Sequence, residues 1–321
     1  MKPPISGLRS RQFLAFFAAT LAALAPVAPA LAQTPATPPA GAPPSILAPE
    51  NLHAWCVVPF DARKRGPEER AQMLEKLGFK RFVYDWRAKD IPTFDAEIEA
   101  LKKHGIELTA WWSPGNSHDP LLLQTLEVFK RQNAHPQLWV MGGGAPTATP
   151  EEQRQRVEKE AGRISDIVKL AEPYGCQVEL YNHNGWFGQP DNEVAIIEQL
   201  KQLGVTSVGM IYNFSHGHED VADFPAIWKR IQPYVRAVNV TGMTKEGEKK
   251  IVPPSQGEFE IGMLRVILDS GWRGPVGLIA EQGGDAEVTL GNNLRGLDWC
   301  RKELAQPGSA GPPPTFPPPV R

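Results

Sequence analysis

Residues 179–188 read Glu-Leu-Tyr-Asn-His-Asn-Gly-Trp-Phe-Gly, and they set Tyr181, Asn182, His183 and Trp186 where an apolar run gives way to a loop. Further on come Asn213 with His216 and His218 in "NFSHGH", Asn239 in "AVNVTG", and Glu281 in "LIAEQ". Earlier, Asp85 and Trp86 close "RFVYDW", and Trp111 and Trp112 close "ELTAWW". Histidine, with an ordinary pKa of about 6.5, can take a proton from a carbon beside a carbonyl. A partly buried carboxyl can hold or return one. Aromatic faces stack on the CH faces of sugar rings, while amides and carboxyls give the directed hydrogen bonds that hydroxyls need. On these grounds His183, Glu281 and His216 are the candidate catalytic groups. Tyr181, Asn182, Asn213, Asn239, Trp111, Trp186 and Asp85 are the candidate substrate-binding groups. Taken singly, any of the Asp or Asn residues could merely cap a helix or close a turn. Their collecting at one end of one fold is what points to a site.

Short apolar runs bounded by turn residues read as buried parallel strands. They are 52–60, 81–86, 107–112, 138–143, 177–182, 208–213, 237–242 and 276–281. Amphipathic segments lie between them, with apolar faces such as Met73, Leu74 and Leu77; Phe94, Ile98 and Leu101; and Ile196, Ile197 and Leu200. Gly78, Gly105, Gly204 and Gly271 stand where helices should stop, and Thr149 with Glu152 forms a capping box. Eightfold alternation of strand and helix predicts an α/β fold closed into a (β/α)8 TIM barrel. No G-x-G-x-x-G follows the first strand, so a dinucleotide fold is disfavoured. "MGGGAP" (141–146) has no Lys-Ser/Thr and reads as a loop allowing close backbone approach, not a phosphate cradle. In such a barrel the active site lies at the C-terminal ends of the strands, where every candidate above falls.

The flanks have a different character. Arg9 and Arg11 precede a long apolar run that ends in Ala30-Leu31-Ala32, which predicts a signal peptide over 1–32 and a periplasmic or secreted protein. Ser10 stands where a twin-arginine signal would place its first arginine, which favours the general secretory route. Residues 33–49 read as a Pro/Ala-rich linker and 306–321 as an unpacked Pro-rich tail, leaving the barrel in 50–305. With 41% hydrophobic and 22% charged residues and a net charge of −2 over 321 residues, the chain has no basic footprint for nucleic acid. It also has no apolar stretch, once the signal is removed, that would hold it in a membrane. Cys56, Cys176 and Cys300 form no C-x-x-C pair and read as buried thiols.

Strands five to eight carry a resemblance. The chain resembles the xylose-isomerase-like barrel superfamily, which includes sugar-phosphate isomerases, ketose epimerases and the endonuclease IV group, over roughly residues 50–305. The resemblance implies a divalent metal held by Glu, Asp, His and Glu at four strand ends. Here Tyr181 stands at the first of these positions, with the Asn182 and His183 of the motif matched. Asn213 stands at the second, with His216 matched, and Asn239 at the third. Glu281 alone matches among the metal ligands. One carboxylate and two neutral amides offer little to a divalent cation. Glu179 shares the face of Tyr181 but lies about 6–7 Å deeper along the strand. The expectation is therefore no cofactor, with one alternative, a divalent metal in a rebuilt site of His183, His216, His218 and Glu281.

Two function classes follow. One is an enzyme of the sugar isomerase/epimerase or keto-sugar lyase kind, acting by acid/base proton transfer on a small carbohydrate. The other is a carbohydrate-binding barrel without catalysis. Histidines and Glu281 facing one cavity favour the first, and histidines turned outward favour the second. DNA repair in the manner of the endonuclease IV group is disfavoured by the predicted export, the charge and the replaced ligands.

Overall fold

In the computed structural model, which describes residues 45–247 and 249–316, eight strands form a closed parallel barrel in simple sequence order. The strands are β1 (Leu52–Trp55), β2 (Arg81–Tyr84), β3 (Glu107–Ser113), β4 (Gln137–Val140), β5 (Val178–Tyr181), β6 (Gly209–Asn213), β7 (Val235–Val240) and β8 (Val276–Ile279). Closure is the pairing of β8 with β1, Leu52 opposite Val276 and Trp55 opposite Ile279. Helices follow every strand: α1 (Pro67–Lys76), α2 (Phe94–Lys103), α3 (Pro120–Gln132), α4 (Pro150–Ala171), α5 (Pro190–Gln202), α6 (Phe224–Ile231), α7 (Glu260–Asp269) and α8 (Ala286–Ala305). The (β/α)8 barrel predicted from the alternation is the fold.

Local chemistry sets the boundaries. Pro67, Pro120, Pro150 and Pro190 each open a helix, where a missing N–H costs nothing. Gly78, Gly105, Gly204 and Gly271 end helices with φ of 83°, 64°, 83° and 77°, a left-handed conformation that a side chain would strain. Six of the strands, all but β3 and β6, are shorter at their C-terminal ends than the apolar runs suggested. The residues past those ends turn into loops, and they build the site.

Two cores result. The larger lies between strands and helices and includes the expected helix faces, with Met73, Leu74, Phe94, Ile98, Leu101, Ile196, Ile197 and Leu200 all buried. The smaller fills the barrel with Trp55, Val83, Ala110, Trp139, Tyr181, Ile211, Ala237 and Ile279. Deeper in the barrel, His53 Nε2 meets Asn239 Oδ1 at 3.0 Å. Gly277 makes room for that pair, because a Cβ there would collide with both atoms. All three cysteines are free and buried.

Both ends of the barrel segment depart from the expected boundaries. Ile46 and Leu47, assigned to the linker, are 2% exposed and belong to the core. The tail also packs as far as Phe316. Trp299 Nε1 donates to Gly311 O at 2.9 Å, Gln256 Nε2 donates to Pro314 O at 2.7 Å, and the Arg295 guanidinium lies 5.2 Å from the Phe316 ring. A Pro-rich composition excludes a helix here but not a strap laid on aromatic and amide groups. The signal peptide (1–32), most of the linker (33–44) and the last five tail residues (317–321) lie outside the described residues. No helix of the described residues is long and apolar enough to cross a membrane.

Candidate functional site

At the C-terminal mouth of the barrel lies a cavity of about 110 Å³ lined by Trp55, Cys56, Phe60, Asp85, Arg87, Trp112, Tyr181, His183, His216 and Glu281. The three predicted catalytic residues therefore share one space. A second hollow of about 290 Å³ adjoins it through His183 and His216 and adds His218, Gln189, Ser215 and Lys250. Trp55, Trp112 and Tyr181 make an aromatic wall, with ring centroids 5.6 Å apart for Trp55–Trp112 and 5.3 Å for Trp112–Tyr181. The His183 and His216 rings lie 4.5 Å apart.

Burial sets the charge states. His183 is pushed below its ordinary pKa by burial and, secondarily, by the Lys250 ammonium. His216 falls to about 3 for the same first reason, with His183 next in effect. His218 is lowered too, again by burial first. All three rings are neutral near pH 7. Glu281 moves the other way, its pKa raised by burial against the weaker pull of Lys250 and Arg87. The site thus pairs neutral bases with a carboxyl that holds its proton longer than usual.

Other sequence candidates fall elsewhere. Trp111 is fully buried on the helix side of β3, packed 4.5 Å from Tyr84, 4.7 Å from Phe94 and 5.0 Å from Phe129. Its neighbour Trp112 faces the cavity instead. Adjacent strand residues point to opposite faces, and a register shift between Phe82 and Val83 in the β2–β3 pairing complicates a choice made from sequence. Trp186 is 4% exposed and does not reach the cavity. Its Nε1 donates to Gln153 Oε1 at 2.6 Å and Arg156 stacks 5.3 Å from its ring, so it clamps the Gly142–Gly144 loop onto α4. Gly142 lies hard against Phe187, and Gly185 against Gly144, as a loop of close backbone approach should.

Asn182 does not line the cavity and ties two strands together. Its Oδ1 accepts from Asn213 N at 2.7 Å and its Nδ2 donates to Asn213 O at 3.3 Å. Asn213 lies behind Tyr181, its Oδ1 accepting from Ser215 N and Oγ, both at 3.1 Å, and its Nδ2 donating to the Tyr181 hydroxyl. Asn239 is deeper still, on His53, away from the cavity. The expected convergence of Tyr181, Asn213, Asn239 and Glu281 thus holds for Tyr181 and Glu281 alone.

These bonds bear on the divalent metal that the resemblance implies. Trp55 Nε1 donates to the Tyr181 hydroxyl at 3.1 Å, and Asn213 Nδ2 donates to the same oxygen. Both lone pairs are used, which leaves the phenol only its own proton to offer. Asn213 Oδ1 and Asn239 Oδ1 are likewise taken. Among the described residues no three His, Cys, Asp or Glu side chains group in a way that could hold a metal ion, and that includes His183, His216, His218 and Glu281. The donor set at these positions does not fit a divalent cation.

Trp55, Cys56, Phe60, Arg87 and Lys250 also line these hollows without having been expected from the sequence, and Trp112 rather than Trp111 faces the cavity. The alternation His53, Trp55 along β1 could have pointed Trp55 inward. Nothing local marks Lys250, which arrives on the long loop after β7.

Comparison with known proteins places the fold. No family model and no curated protein matches the chain by sequence. Solved structures match it throughout the barrel. The probable 3-DHS dehydratase AsbF from Bacillus anthracis has a TM-score of 0.59 at 14% identity, over 77% of this chain and 98% of that one. The 3-keto-D-glucoside 4-epimerase YcjR from E. coli has 0.57 at 14%, over 78% and 99%. The fold is that of the xylose isomerase-like TIM barrels. The IOLI protein, solved with a bound zinc atom, matches with 0.58 at 13%, over 79% and 97%.

Proposed function

We propose that this barrel is an exported enzyme that moves protons on a carbohydrate carrying a carbonyl group, as a sugar epimerase or isomerase or a keto-sugar lyase would, without the divalent metal of its fold relatives. The observation that carries the reading is the convergence of His183, His216 and Glu281 on one cavity with an aromatic wall. A binding barrel needs the wall and has no use for neutral bases sharing a cavity with a carboxyl whose pKa is raised. The likeness to a 3-keto-D-glucoside epimerase supports a keto-sugar as the substrate class.

In this reading the sugar's CH face lies on Trp55 or Trp112. The Tyr181 hydroxyl, pinned by Trp55 and Asn213, presents its proton to a sugar oxygen. His183 takes the proton from the carbon beside the carbonyl. Glu281 returns one from another side of the cavity. His216, with its pKa near 3, is too weak a base for the first step and acts as a neutral hydrogen-bonding group. Replacing Glu281 by Gln and His183 by Ala should each lower turnover by about 10²-fold or more in proteins that remain folded. Unchanged turnover in both variants would remove them from the mechanism. Sugar binding without turnover in any form would establish the non-catalytic barrel instead.

A further inference from the structure

Asp85 follows β2 and is 2% exposed, yet it lines the cavity. Its two oxygens have different fates. Oδ1 accepts from Val57 N and from Val58 N, both at 3.2 Å. The chain presents these successive amides because Cys56, just before them, turns through a left-handed φ of 54°, a conformation rare for a residue with a side chain. Oδ2 is buried and has no partner.

The nearby cations do not neutralise it. Arg87 Nη1 is turned to the carbonyls of Asp85 and Trp86, at 3.1 and 2.9 Å. Arg70, behind it on α1, is bonded to Glu97 and to Arg65 O. Cys56 and Glu281 face the same space from β1 and β8, the Cys56 thiol kept protonated by burial, with Asp85 and Glu281 adding to the effect. A buried polar atom without a partner is costly, and at a cavity wall it marks the place for a ligand atom. Were Asp85 only a brace for the two amides, one oxygen would do.

We propose that Asp85 is a catalytic acid, donating from Oδ2 to the carbonyl oxygen of the substrate. The assignment rests on the proton-transfer reading above. As His183 removes the carbon-bound proton, the C–H pair becomes the C=C bond. The carbonyl π pair takes the proton from Asp85, giving a neutral enol. Asp85 is left as a carboxylate on the two amides, which stabilise it there. On reversal Glu281 protonates the carbon and Asp85 recovers the hydroxyl proton. Donors placed where charge develops supply a large share of such rate enhancements. Burial, opposed by the Val58 and Val57 amides and the two arginines, raises the Asp85 pKa to about 7, so both forms are accessible.

Asp85→Asn keeps an oxygen for the two amides and removes the proton. Solvent deuterium exchange into methyl 3-keto-glucoside and D-psicose, followed by proton NMR, would be compared in both proteins with the carboxylic C=O infrared band. The expected result is an unchanged fold, exchange at saturating probe slowed at least about 10²-fold, and loss of the alkaline limb near pH 7. The variant should also lack an infrared band that titrates near neutrality in the parent. A variant exchanging at the parent rate, or an Asp85 ionised throughout pH 5–8, overturns the assignment while leaving the proton-transfer reading intact. A parent silent with every probe overturns that reading first, and the assignment with it.

Discussion

Tyr181 shows how a single residue type redirects the chemistry of a site. A glutamate there would bring two oxygens and a charge. The phenol brings one oxygen, and Trp55 and Asn213 saturate it, leaving a fixed O–H donor. Position decides as much as type. Trp111 and Trp112 are adjacent, yet one is core and the other cavity wall. Trp111→Ala should therefore cost about 3–5 kcal/mol of stability, read by denaturant unfolding. Trp112→Ala should leave most of the stability and weaken binding of a keto-sugar probe, read by calorimetry. The reverse pattern would mean the two faces are assigned wrongly. His183, His216, Glu281 and Asp85 were legible as residues of the barrel mouth because they stand at the C-terminal ends of strands, and all four line the cavity there. Trp186 and Asn182 fall outside the cavity because a tryptophan or an amide at a strand end serves a loop clamp or a strand tie equally well, and only packing tells which.

At the scale of elements, apolar runs located all eight strands, since burial on both faces forces continuous apolar sequence, while amphipathic faces and helix-stop glycines located only some of the helices. The register shift between β2 and β3 and the left-handed turn at Cys56 left no such trace, because each depends on contacts between distant segments. The β5–β6 tie is another such contact. Asn182 holds both backbone groups of Asn213, whose side chain in turn fixes Tyr181 and the turn to His216. Asn182→Ala should cost about 1–3 kcal/mol through these unmet buried groups. It should also broaden the NMR signals of His216 more than those of Glu281. Equal effects on the two would argue against a local tie.

The whole molecule carries a pH signature from its interior. Glu179, fully buried in the barrel with Gly209 N on Oε2, has its pKa raised by burial to about 8 from 4.5. The folded state therefore binds more protons across that window. The favourable contribution is complete below pH 4.5 and is lost as the pH rises towards about 8. Glu179→Gln removes this dependence. Its stability relative to the parent should rise by on the order of 3 kcal/mol between pH 5 and 7.5, read from urea unfolding at each pH. A constant difference across that range would mean that Glu179 ionises freely inside the barrel.

The central claim is that the mouth of this barrel moves carbon-bound protons with its own side chains. The direct measurement is solvent deuterium exchange into methyl 3-keto-glucoside, by proton NMR, using protein treated with EDTA and checked by elemental analysis. Loss of a carbon-bound proton signal beside the carbonyl at an undiminished rate in the metal-free protein is the predicted result. Exchange that appears only when Mn, Mg or Zn is restored would contradict the account and assign the chemistry to a bound metal.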